Sequence, residues 1–94
     1  MAEVVGYHLT ASGLVQGVGY RYYCMEAARA LKLTGYVMNV PGGDVEIEVF
    51  GPAARLQEFI AEITRSDRTF RVIELKRDEL LSEKGYKDFT IRFY

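Results

Sequence analysis

The chain has 94 residues, 49% of them hydrophobic and 27% charged, with twelve Lys+Arg against thirteen Asp+Glu for a formal charge of −1. That length fits one domain over residues 1–94 with a modest core, burying roughly two thirds of the unfolded surface. The composition excludes a disordered chain, and the charge balance lacks the basic excess usual in nucleic-acid binders.

One cysteine and one histidine are too few soft ligands for a zinc site, and a single cysteine makes no intrachain disulfide. No run of about 18 apolar residues is present, so no membrane span is expected. Met1 to Tyr7 lacks a basic start and a long apolar segment, so no signal peptide is read there and a cytoplasmic protein is expected. A monomer is expected because no long apolar surface helix is present.

In chain order, Val4 to Ala11 is β-branched and aromatic and predicts a strand. Ser12 to Gly19 holds Gly13, Gly17 and Gly19 and predicts a loop. Arg21 to Leu33 predicts a helix, with Tyr20, Tyr23, Ala27, Ala30 and Leu31 recurring at spacings of three and four. Gly35 lies near the expected helix stop. Gly35 to Val40 predicts a second strand, and Pro41-Gly42-Gly43 a turn. Asp44 to Phe50 alternates, with Val45, Ile47 and Val49 facing one way and Glu46, Glu48 and Phe50 the other, so the two strands form a hairpin.

Gly51-Pro52 opens a second helix with Pro52 near its first position. Leu56, Phe59, Ile60 and Ile63 form its apolar stripe. A loop around Ser66 to Arg68 follows. Phe70 to Leu75 and Tyr86 to Phe93 close the chain as strands, the last with Phe89, Ile91 and Phe93 on one face. The order is read as βαββαβ, an α+β ferredoxin-like sandwich: an antiparallel sheet with two helices on one face. Fold alone does not assign function.

The stretch Gly13-Leu14-Val15-Gln16-Gly17-Val18-Gly19-Tyr20-Arg21 joins the first strand to the first helix. Glycines permit positive φ and close approach to a ligand. Successive N–H groups in such a turn form an anion-binding nest, and the helix start adds unpaired donors and a positive dipole end. Arg21 opposes that dipole unless an anion sits between them. By composition alone the stretch is a glycine-rich turn with a surface arginine. No Lys-Ser or Lys-Thr follows it, so it is not a nucleotide P-loop. Cys24 and Arg29 stand one residue short of the Cys-x5-Arg spacing of cysteine phosphatases, and Cys24 is read as a small core residue. Asn39 is the strongly polar residue in Tyr36-Val37-Met38-Asn39-Val40. It is read either as a turn residue or as an amide able to hold a water.

These segments resemble the acylphosphatase family. Gly13-x-Val15-Gln16-Gly17-Val18-x-Tyr20-Arg21 is similar to its signature, and Gly35-Tyr36-Val37-Met38-Asn39 to its glycine-aromatic-valine-x-asparagine segment. Gly43-Asp44-Val45-Glu46 is similar to the glycine-x-valine-glutamate that follows. The likeness runs from Tyr7 to Phe59 and returns at Phe89 to Tyr94. It implies a metal-independent hydrolase of acyl phosphates, with no cofactor. It implies that Arg21 and the backbone N–H groups of Val15, Gln16, Gly17, Val18, Gly19 and Tyr20 bind the phosphoryl oxygens, while Asn39 positions the attacking water.

Three positions depart from the family pattern. Met38 stands where a basic residue is common, which weakens long-range attraction of anions. Gly42 replaces an acidic or amide turn residue. Ser66-Asp67 replaces a glycine-proline pair after the second helix. His8 lies outside both motifs and is read as structural or solvent-facing. Tyr20 and Tyr36 are read as core packing or as an apolar wall beside the site.

An RNA-recognition module shares the βαββαβ order, but Glu46 and Glu48 on the outward sheet face would repel phosphates, so no nucleic-acid partner is expected. A second alternative is an accessory or inactive domain that binds acyl or carbamoyl phosphates. The retained Arg21 and Asn39 count against it. The motifs specify the phosphate end of the substrate and leave the acyl group open.

Overall fold

Two periodicities build the molecule. In the computed structural model, which describes residues 3–65, 69–80 and 85–94, the elements are β1 (Val4–Leu14), α1 (Tyr20–Ala30), β2 (Thr34–Asn39), β3 (Val45–Pro52), α2 (Ala53–Ile63), β4 (Arg71–Leu80) and β5 (Phe89–Arg92). Period-two alternation on the strands turns Leu9, Val37, Val45, Ile47 and Val49 inward, where each is fully buried. Helical spacing brings Leu56, Phe59, Ile60 and Ile63 of α2 to meet them, as the sequence predicts. On α1 the buried stripe is Tyr20, Cys24 and Ala28. It is rotated from the expected one: Ala30 is exposed, and Tyr23, Ala27 and Leu31 flank the core.

The sheet runs β4-β1-β3-β2-β5. β1 pairs antiparallel with β3 and β4, and β2 antiparallel with β3. β5 runs parallel to β2, so the sheet is mixed and not the antiparallel one the sequence suggests. The reason is the return of the chain: the two C-terminal strands, both read from the sequence, lie at opposite edges, and the described elements run βαββαββ, one strand more than the βαββαβ order counts. α1 packs on β2 and β5, α2 on β3, and the helices on each other.

Boundaries shift where a partner strand supplies hydrogen bonds that local pattern does not reveal. β1 continues past Ala11 to Leu14, pairing with Val72 and Arg71 beyond an irregularity at Ser12/Gly13. β4 runs to Leu80 through Lys76, Arg77, Asp78 and Glu79, all exposed. β5 is shorter than expected because Phe93 and Tyr94 lie beyond the ladder. Pro52 is the N-cap of α2. The loop at Ser66 to Arg68 lies outside the described residues.

The opposite face carries Glu46 and Glu48 as expected. His8 Nε2 lies 3.2 Å from Glu46 Oε1, and the Tyr36 hydroxyl donates to Glu46 Oε2 at 2.7 Å. The Arg92 guanidinium rests 4.4 Å from the Tyr36 ring centroid.

Gly35 does not stop α1; it sits inside β2. The stop is Lys32, at φ 56. Lys32 N–H donates to the Arg29 carbonyl at 3.0 Å and Leu33 N–H to the Ala28 carbonyl at 2.9 Å, the paired bonds of a Schellman turn. Glycine usually occupies that left-handed position. Lys32→Gly is therefore expected to raise stability by about 0.5–1 kcal/mol, the relieved backbone strain less the added unfolded-state freedom. Urea denaturation of the two proteins would show it as a higher midpoint at unchanged slope.

Candidate active site

The turn between β1 and α1 has a backbone that glycine makes possible. Gly17 and Gly19 take φ of 73° and 80°. A Cβ at either would touch nothing, so the requirement comes from the backbone and not from space. Gly19 is the N-cap of α1, with no side-chain cap, and the first turn holds no acidic residue. The first intrahelical bond there is Tyr23 N–H to the Gly19 carbonyl. The N–H groups of Gly19 to Tyr22 thus have no intrahelical acceptor, and the helix start presents uncompensated positive potential.

Arg21 adds a full positive charge in that first turn. Among the described residues no carboxylate pairs with it; its guanidinium lies 5.4 Å from the centroid of the Phe93 ring. A cavity of about 190 Å³ is lined by Val15, Gly17, Gly19, Tyr20, Arg21, Tyr22, Ile91 and Phe93. Tyr20 fixes the helix start: its hydroxyl donates to the Ile63 carbonyl at 2.8 Å and its ring packs on Phe70. Burial raises the Tyr20 phenol well above its ordinary range.

Gln16 and Val18 do not line this cavity. Val18 packs against the core. The Gln16 side chain has a role that a backbone-centred sequence reading misses. Its amide nitrogen donates to the Val40 carbonyl at 2.8 Å and the Asp44 carbonyl at 2.7 Å. The glycine turn is thereby tied to both ends of the β2–β3 turn, one residue beyond Asn39.

Asn39 does not line the cavity either. It ends β2 opposite Val45, two residues on from the inward-facing Val37 and so on the helix side of the sheet. Its Oδ1 is buried, with no hydrogen-bond partner among the described residues. A buried acceptor in that state costs about 1–3 kcal/mol, which marks it as an atom awaiting a donor.

Ile91, Phe93 and Tyr22 were not among the expected site residues, yet they complete the wall. The alternation of Phe89, Ile91 and Phe93 was the available clue. His8 and Tyr36 lie on the opposite sheet face with Glu46. Cys24 is fully buried, and burial pushes its thiol up to about 12, so it is core and not nucleophile. No cluster of three metal-ligating side chains occurs among the described residues, and no described helix is long and apolar enough to cross a membrane.

The acylphosphatase sequence profile matches residues 7–91. The chain belongs to the acylphosphatase family. An acylphosphatase of Thermotoga maritima is 37% identical over 86 residues, covering 92% of this chain and 94% of its own length. The crystal structure of a Bacillus subtilis acylphosphatase superposes with a TM-score of 0.90 at 34% identity, covering 94% of this chain and 98% of that one. Full-length HypF, in a phosphate- and nucleotide-bound form, matches at a TM-score of 0.89 and 31% identity, over 98% of this chain but 12% of its own. The enzyme class is that of the acylphosphatases, acylphosphate phosphohydrolases.

Two outcomes follow from this geometry. Gly19→Ala is expected to destabilise the protein by about 1 kcal/mol through its left-handed backbone alone, read as a lower urea midpoint. The second concerns Cys24. Its folded thiol holds a proton to about 12, against 9.0 ordinarily. Between those values the unfolded chain binds fewer protons, so stability falls as pH rises. Below that window Cys24 contributes no pH dependence. Cys24→Ala is expected to make the alkaline fall in denaturation midpoint shallower, and the wild-type thiol to react with a thiol reagent only once urea unfolds it.

Proposed function

We propose that this acylphosphatase hydrolyses the carboxyl–phosphate anhydride of small acyl phosphates by direct in-line attack of water, without a metal ion. The phosphoryl oxygens lie against the Arg21 guanidinium and the backbone N–H groups of the Val15–Tyr20 turn and helix start. The carrying observation is the coincidence, on one small cavity, of helix-start donors without a side-chain cap and an arginine that no carboxylate of the described residues pairs. An anion there resolves the opposition between Arg21 and the helix dipole. Asn39 supplies the second half. Its Oδ1, without a partner among the described residues, accepts a hydrogen bond from the attacking water and so turns a lone pair toward phosphorus.

So few groups suffice because of the leaving group. A carboxylic acid has a pKa near 4, so the departing carboxylate needs no proton donor. Phosphoryl transfer through a loose transition state is then mostly positioning and charge stabilisation. A guanidinium and fixed N–H donors supply both, and the guanidinium takes the charge role a divalent ion would otherwise fill. Water adds to phosphorus as the P–O bond to the acyl oxygen breaks, giving a carboxylate and inorganic phosphate.

A second reading rests on the HypF segment: the same fold serves inside a larger protein, so this chain would bind acyl phosphates without turnover. One assay separates the two. Benzoyl phosphate hydrolysis at neutral pH with chelator present is expected to be rapid in the wild type. It is expected to fall by about 10² or more in Arg21→Ala and in Asn39→Ala, with folding of both verified by circular dichroism. Folded wild type that binds phosphate but turns over no benzoyl phosphate would select the second reading. A phosphoenzyme trapped during turnover would overturn the direct attack.

A further inference from the structure

The phosphate end of the cavity is polar backbone, but its outer wall is not. Phe93 is 81% exposed and Tyr22 is 52% exposed. The two come from different parts of the chain, just past the end of β5 and the first turn of α1, and both line the same cavity as Arg21. Ile91 continues the apolar surface inward. Phe93 is the residue whose ring meets the Arg21 guanidinium, so it stands where the substrate leaves the phosphate grip. An acyl group that extends from a phosphoryl at Arg21 toward solvent would pass this exposed ring.

The charges around the mouth point the same way. Arg21 is the one charged residue lining the cavity among the described residues. Its charge is committed to the phosphoryl group. Glu26, exposed and four residues on from Tyr22 along α1, neighbours it on the helix surface. A second negative charge on the acyl group would find no free cation on the cavity wall and a carboxylate nearby. A flat apolar group would find two aromatic faces, a geometry suited to offset or edge contacts.

We propose that Phe93 and Tyr22 form the acyl-group subsite, and that the substrates it selects carry an apolar, planar acyl group rather than an anionic one. The inference rests on the hydrolytic reading above and adds the substrate class. The energy of that contact is made in the ground state and the transition state alike, so its loss raises KM and leaves kcat in place.

The test is steady-state kinetics on benzoyl, acetyl and succinyl phosphate with the wild type, Phe93→Ala, Phe93→Leu and Tyr22→Ala. Phe93 is exposed, so its replacement is not expected to unfold the protein. Phe93→Ala is expected to lower kcat/KM for benzoyl phosphate about tenfold, through KM, and for acetyl and succinyl phosphate by less than about threefold. Phe93→Leu is expected to fall between, and Tyr22→Ala to follow Phe93→Ala with a smaller loss. Equal losses on benzoyl and acetyl phosphate, carried in kcat, would show that Phe93 acts only through Arg21 and would overturn the subsite. So would unchanged benzoyl kinetics, or a loss confined to succinyl phosphate. Folded wild type that hydrolyses none of the three would instead overturn the hydrolytic reading, and the subsite with it.

Discussion

The site depends on the register of three central strands. Ala11 of β1 pairs with Val45 of β3, and Val45 pairs with Asn39 of β2. That single row sets Asn39 level with the point where β1 runs out toward the glycine turn. Because side chains alternate, the same row turns Asn39 to the helix side, where α1 begins. A slip of one residue in the β2–β3 ladder would send Asn39 to the face occupied by Glu46 and Tyr36. The inward rows, fully buried at Leu9, Ile47 and Val37, are what hold that register.

Register alone leaves a loop free to drift, and two devices stop it. Gln16 spans from the turn to the carbonyls at 40 and 44 with both protons of one amide. Tyr20 anchors the other end of the turn to the last residue of α2. The stretch between them carries the left-handed glycines and the donors, so its backbone is fixed before any anion arrives. Preorganised donors of that kind need not reorient during reaction, which is where such sites gain over water. No acidic residue in the first turn of α1 offsets its positive end, and the buried Asn39 Oδ1 has no hydrogen-bond partner among the described residues.

Much of this was legible in the sequence because it is local. The alternation at Val45, Ile47 and Val49, the stripe at Leu56, Phe59, Ile60 and Ile63, and the burial of Cys24 follow from period and composition. The glycine turn and Asn39 were legible through the family resemblance, which points to the residues without giving their contacts. What escaped is non-local. The direction of β5 depends on which edge remains available after β4, and no residue in Phe89–Arg92 encodes it. The length of β4 comes from its partner β1. Lys32 ends α1 where glycine would be read, because paired hydrogen bonds and the buried Leu33 outweigh one strained φ. The Gln16 bridge and the place of Phe93 need the folded chain, since their partners lie on other elements.

β4 has a further consequence. It is a ten-residue strand at the border of the sheet, the kind of long open border that invites a foreign strand to join. Lys76, Arg77, Asp78 and Glu79 place both signs of charge on both of its faces, with Arg77 and Glu79 on the side of Leu9 and Tyr7. A strand added there would have to strip water from that row before gaining backbone bonds, and the irregularity at Ser12/Gly13 breaks the straight template it would need. The border that most resembles a seed for fibrous self-association is thus also the one best guarded against it.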